Sequence, residues 1–169
     1  MKNGFYAFES ALHVFPSECK ERVIDLDFWN DQSNWKADFC DSLYQILFFA
    51  EDLFGGQFGI AEDGIVRFNP ETGETVPFSE NIEEWAARIL NDYPLETGYE
   101  LAADWQKRNG PIPSGFRLLP IKPFFLGGKF EVDNLYLADA LEGMKSRAEI
   151  WRQTNDLPDG TPIEFRVVE

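Results

Sequence analysis

Residues 57–78 read "QFGIAEDGIVRFNPETGETVPF", three short β-prone segments separated by two turn signals. Asp63-Gly64 is a hairpin dipeptide, because its glycine accepts the positive φ that a tight turn demands. A second, longer turn is supplied by Asn69-Pro70-Glu71-Thr72-Gly73-Glu74. Connections this short join antiparallel neighbours, since a parallel pair needs a crossover of about a dozen residues or more. Residues 57–60, 65–68 and 75–78 are therefore expected to form an antiparallel meander, with Pro77 placing the last strand at an edge or ending it.

Helical spacing surrounds this meander. Trp35, Phe39, Leu43, Ile46, Leu47, Ala50, Leu53 and Phe54 recur at three- and four-residue steps, which predicts a helix over 34–54 closed by Gly55 and Gly56. Asn81 with Glu84 makes a capping box ahead of Ile82, Trp85, Ile89 and Tyr93, predicting a helix over 82–92. Thr97 with Glu100 repeats the box, and Asn109-Gly110-Pro111 stops a third helix. Residues 111–128, "PIPSGFRLLPIKPFFLGG", are too rich in proline and glycine for helix and read as a loop with short extended pieces. Leu137, Leu141, Met144, Ala148 and Trp151 predict a last helix, capped by Asp133 or Asn134, and Ile163, Phe165 and Val167 alternate as a closing strand. Residues 11–16 stop at proline and fit a strand entering a loop. With hairpins interleaved among helices, the fold class is α+β: a mainly antiparallel sheet flanked by about four helices in a single domain, 1–169.

The chain of 169 residues carries 15 Lys and Arg against 30 Asp and Glu, a formal charge of −15. That sign repels nucleic acid and anionic membrane and attracts a basic protein. High solubility alone is the simpler reading of the charge. Cys19 and Cys40 match neither a metal site nor a disulfide framework and read as reduced thiols. With no signal-peptide pattern at the start and no membrane-spanning run, they suggest the cytoplasm.

Catalytic patterns are weak. The only histidine, His13, lies in an apolar segment and reads as packed. The carboxylate pairs Glu51-Asp52, Glu62-Asp63 and Glu83-Glu84 are expected by chance in so acidic a chain, and Glu83-Glu84 suits a first helical turn. A phosphate loop needs N–H groups at a helix start, whereas Gly55-Gly56 is expected after a helix and beside Glu51 and Asp52. Gly127-Gly128, next to Lys129, reads foremost as a turn, with an anion site left open. One histidine, two separated cysteines and no calcium-loop spacing imply no metal, and no cofactor is expected. Trp35, Trp85, Trp105 and Trp151 fall on helical apolar faces, whereas Trp29 lies in "DLDFWNDQSNW", an expected acidic loop. There it either packs back on the domain or anchors a partner. "LFGGQF" at 53–58 returns as "FLGGKF" at 125–130, which suggests the same kind of turn used twice.

The ordered set "FFAEDLFGGQFGI", "GIVRFNPETGE", "ENIEEWAARIL", "LPIKPFFLGGKFEVDNLYLADALEGM" and "LPDGT" resembles the SUKH superfamily, which includes the Smi/Knr cell-wall regulators and bacterial immunity proteins. The resemblance spans about 47–163 and is strongest to the bacterial members, while 1–33 diverges from the family's usual lead-in. It implies a bent, mainly antiparallel sheet, no enzymatic activity and no catalytic residues. Gly55, Gly56, Phe58, Gly64, Trp85, Gly127 and Gly128 match fold-forming positions. It also implies protein binding, commonly neutralisation of a toxin such as a nuclease or a nucleic-acid deaminase. A basic toxin domain is thus the expected partner, with Trp29, Glu51, Asp52, Glu62 and Asp63 as candidate contacts. The alternatives are a regulatory scaffold for an endogenous signalling or envelope-synthesis protein and, third, an enzyme.

Overall fold

The meander expected from the two turns is part of a larger one. The computed structural model describes residues 3–17, 24–158 and 160–163. In it, β1 (Phe5–Ala7), β2 (Leu12–Val14), β3 (Leu47–Asp52), β4 (Gln57–Ala61), β5 (Gly64–Phe68) and β6 (Thr75–Ser79) form one six-stranded sheet in chain order. Every neighbouring pair is antiparallel. β7 (Phe116–Pro120) and β8 (Leu135–Asp139) make a separate antiparallel pair. Five helices accompany them among the described residues: α1 (Leu26–Asn30), α2 (Ile82–Asn91), α3 (Tyr93–Thr97), α4 (Tyr99–Asn109) and α5 (Ala140–Thr154). The class is α+β.

The helix expected over 34–54 does not form. Trp35–Asp38 and Asp41–Gln45 are 3-10 turns separated by an extended Cys40, and the rest is β3. The helical spacing has a different origin. Trp35, Phe39, Leu43, Ile46 and Phe48 all enter one core cluster with Phe15, Trp29, Phe68 and Met144. In β3, Phe48 to Asp52 are all buried, and a strand covered on both faces reads as a continuous apolar run rather than an alternation. A bulge between Phe48 and Ala50 sends Phe48 into that cluster and Phe49 and Ala50 into a second one, with Leu12, Phe58, Phe78, Trp85 and Ile89. α5 and the 3-10 turns cover the first face, and α2 covers the second.

Local signals held where their partners are local. Asn81 caps α2, its side chain accepting the Glu84 N–H at 2.9 Å. The expected third helix forms as α4, but a short α3 precedes it, and the two are separated by Gly98, which is left-handed at φ +77. A Cβ there would come within 2.7 Å of the Phe54 ring, so the backbone bends where only glycine fits. Thr97 caps nothing, because its hydroxyl donates to the Tyr93 carbonyl at 2.6 Å. The last helix starts later than expected, since Leu135–Asp139 pair with β7 and Asp139 is the cap, accepting from Leu141 and Glu142. Within the expected closing strand Ile163 is not in a strand, and Phe165 and Val167 lie outside the described residues, as does Cys19.

Candidate functional site

Strand register builds the polar interior. Tyr6, His13, Glu51, Gln57 and Phe68 are successive cross-strand partners from β1 to β5, so one row of the sheet brings three polar side chains side by side. The Glu51 Oε1 accepts from the Arg117 Nε of β7 at 2.7 Å and lies 3.1 Å from the His13 Nδ1. Gln57 accepts the Trp29 indole N–H at 2.7 Å and donates to the Gly55 carbonyl at 2.8 Å. His13 stacks on Tyr6 with ring centroids 4.1 Å apart, and Arg117 also donates to the Ser10 carbonyl. Burial by itself pushes the Glu51 carboxyl up, but the Arg117 charge, followed by the His13 hydrogen bond, outweighs it and holds the pKa at about 2. His13, Glu51 and Arg117 are buried and do not line the groove described below. A histidine beside a carboxylate invites a catalytic reading, but here both side chains are buried and engaged, His13 with Glu51 and Glu51 with Arg117.

Asp52, the next residue of β3, anchors a second network. Its Oδ1 accepts the Phe54 and Gly56 N–H groups at 2.9 and 2.8 Å, and its Oδ2 accepts from Arg67 at 2.7 Å. Arg67 continues to Glu96 at 3.0 Å, and Glu96 accepts from Arg88 at 2.7 Å. The Gly55-Gly56 pair is therefore the turn between β3 and β4 and closes no helix. The Gly56 N–H, together with that of Phe54, does hold an anion, and that anion is the chain's own Asp52, whose backbone carbonyl accepts the Gly55 N–H. Gly127-Gly128 offers no anion cradle, because both N–H groups donate to the carbonyls of Phe124 and Pro123. Gly55 and Gly127 are both left-handed, at φ +76 and +81, so the two similar motifs do share a turn geometry.

These two turns meet around a groove of about 440 Å³. Phe54 from the first motif packs edge-on against Phe130 of the second and against Phe124 just ahead of it, and these two rings stack at 3.9 Å. Asp52, Arg67, Glu71, Glu74, Phe125 and Arg147 complete the principal lining. Glu71 Oε2 accepts the Phe125 N–H at 3.1 Å, and burial pushes its carboxyl pKa up. Arg147 comes from α5, 92 positions along the chain from Gly55, yet a Cβ on Gly55 would lie 2.9 Å from its guanidinium. Proximity in sequence offered no sign of it; the only legible signal was the aromatic density of "PFFLGGKF".

The expected contact residues divide. Trp29, Glu51 and Asp52 are buried, and Trp29 sits on α1 rather than in an open loop, so these three are interior structure and not a surface for a partner. Glu62 and Asp63 are exposed at the β4–β5 turn. Leu47 and Ile60, a cross-strand pair next to that turn, are also exposed. Among the described residues no group of three or more His, Cys, Asp or Glu is placed to hold a metal. None of the described helices is long and apolar enough to cross a membrane.

No protein-family model matches the chain, and no curated protein matches it. Among solved structures it is similar to the crystal structure of Atu4351 from Agrobacterium tumefaciens, at 15% identity and a TM-score of 0.50. The match covers 83% of this chain and 67% of that one. The likeness is one of fold.

Proposed function

We propose that this chain is a non-enzymatic protein-binding domain of the SUKH type, acting in the cytoplasm as an immunity protein that captures a basic toxin domain. The observation that carries the reading is where the charge lies. Among the described residues three buried cations, Lys36, Arg117 and Arg147, stand against four buried acids, Glu51, Asp52, Glu71 and Glu96, so the buried set sums to one negative charge. The acidic excess of a −15 chain therefore lies outside the core, where it steers a cationic partner. Glu62 and Asp63 beside exposed Leu47 and Ile60 offer the combination of an apolar centre and a charged rim that protein interfaces use. Carboxylates at such a rim would compete for the cationic groups with which a nuclease or a nucleic-acid deaminase holds phosphates.

The test begins with the reading frames adjacent to the gene. A toxin encoded there should be captured in a pull-down and silenced on co-expression. Binding should weaken as salt rises, and the Glu62→Lys/Asp63→Lys variant should associate more slowly while folding normally. Salt-insensitive binding would refute the electrostatic mechanism. Capture of an endogenous envelope-synthesis or signalling protein, with no protection from any neighbouring toxin, would replace immunity with a scaffold role.

A further inference from the structure

Buried cations in this protein have partners, with one exception among the described residues. Arg117 has Glu51 at 2.7 Å, and Lys36 donates to the Ile46 carbonyl at 2.7 Å. Arg147 is only 6% exposed, yet it has no hydrogen bond and no ion pair within 4 Å. Its attractions to Glu71 and Asp52 act at longer range. Asp52 is committed to Arg67 and two backbone N–H groups, and Glu71 to the Phe125 N–H. A largely buried guanidinium that meets no protein acceptor and keeps only its groove-facing surface accessible is poorly solvated, and a ligand that supplies a charged acceptor from the groove relieves that cost.

The surroundings of Arg147 specify the ligand. It lines the groove of about 440 Å³, within the size range of small-molecule sites at roughly 300–1,000 Å³. Phe124, Phe125 and Phe130 provide an apolar wall there, and Phe130 is 65% exposed. Glu71 and Glu74 on the same lining disfavour a dianion such as phosphate but tolerate a single carboxylate paired with the guanidinium. Gly55 keeps the approach open, since a side chain there would press on the Arg147 nitrogen.

We propose that this groove binds a monocarboxylate carrying an aromatic or branched apolar body, its carboxylate on Arg147 and its body against Phe124, Phe125 and Phe130. Such a group is either a free organic acid or the carboxy-terminal residue of another chain.

N-acetyl-L-phenylalanine and its uncharged amide, titrated into the full chain by calorimetry, make the test. The acid should bind roughly 10- to 100-fold more tightly than the amide. Phe130→Ala should weaken acid binding, and Arg147→Met should bring acid and amide to equal affinity. Inorganic phosphate should not compete. If Arg147→Met does not fold, the acid–amide comparison on the native chain and the exposed Phe130→Ala variant still decide. Equal affinity for acid and amide, no binding of either, or an acid preference that survives in folded Arg147→Met overturns the proposal. A longer peptide ending in the same phenylalanine separates the two sources: tighter binding than the acetylated residue assigns a chain terminus, and no gain assigns a free acid.

Discussion

Replacing Glu51 by glutamine removes one charge from the centre of the sheet and little else. The amide oxygen can still accept from Arg117 and His13, but the guanidinium becomes an uncompensated buried cation. Displacement of the Glu51 pKa from 4.5 to about 2 corresponds to about 3 kcal/mol of folding free energy. Breaking a buried pair from one side costs a similar roughly 3–5 kcal/mol. The sign sets the pH window. A carboxylate whose folded pKa is depressed stabilises the fold fully above its unfolded value near 4.5, and that contribution disappears as pH falls through about 2. Urea unfolding followed by circular dichroism should therefore show Glu51→Gln about 3 kcal/mol less stable than wild type at pH 7, with the difference shrinking below about pH 4.5. The double variant Glu51→Gln/Arg117→Met should recover part of the loss, because it removes the stranded cation as well. A loss below about 1 kcal/mol at neutral pH, or a difference that stays constant down to about pH 2, would refute the account of this ion pair.

Trp29→Ala should destabilise the fold by about 3–5 kcal/mol in thermal or urea unfolding, since its ring is wholly buried and its N–H satisfies Gln57; normal stability with lost partner binding would return Trp29 to the surface. Burial holds the Lys36 pKa at about 8, so its ammonium weighs against folding at neutral pH. Stability should then rise between about pH 8 and 10.5 by up to about 3 kcal/mol, and Lys36→Met should flatten that rise in urea titrations. Gly73 is left-handed at φ +70, and a Cβ there would collide with the Trp151 indole of α5. Gly73→Ala should lower stability by about 1–3 kcal/mol and perturb tryptophan fluorescence, whereas an unchanged melt would mean that α5 does not pack on this turn.

Several of these residues mark the boundary between local and long-range information. The Asp63-Gly64 turn, the longer turn at 69–74 and the Asn81 cap were legible because each is decided by atoms a few residues apart. Residues 34–54 were misread because β3 is covered on both faces, and periodicity does not distinguish such a strand from the buried side of a helix. Trp29 looked like a loop aromatic for a related reason: α1 is a single short helix whose burial depends on Gln57 and on the Trp35 ring, 5.7 Å away.

The sequence by itself determined an antiparallel α+β domain with a strong acidic excess, since turn chemistry is local and net charge is a sum that folding leaves unchanged. Tertiary structure alone decided which acids are interior and which are available. Glu51 meets Arg117 across 66 positions because β2, β3 and β4 pair in one register and β7 lies beside them. Arg147 reaches the Gly55 turn without an anionic partner because α5 packs where the two glycine motifs converge. Neither juxtaposition has a local signature, because each depends on how distant strands and helices share one core.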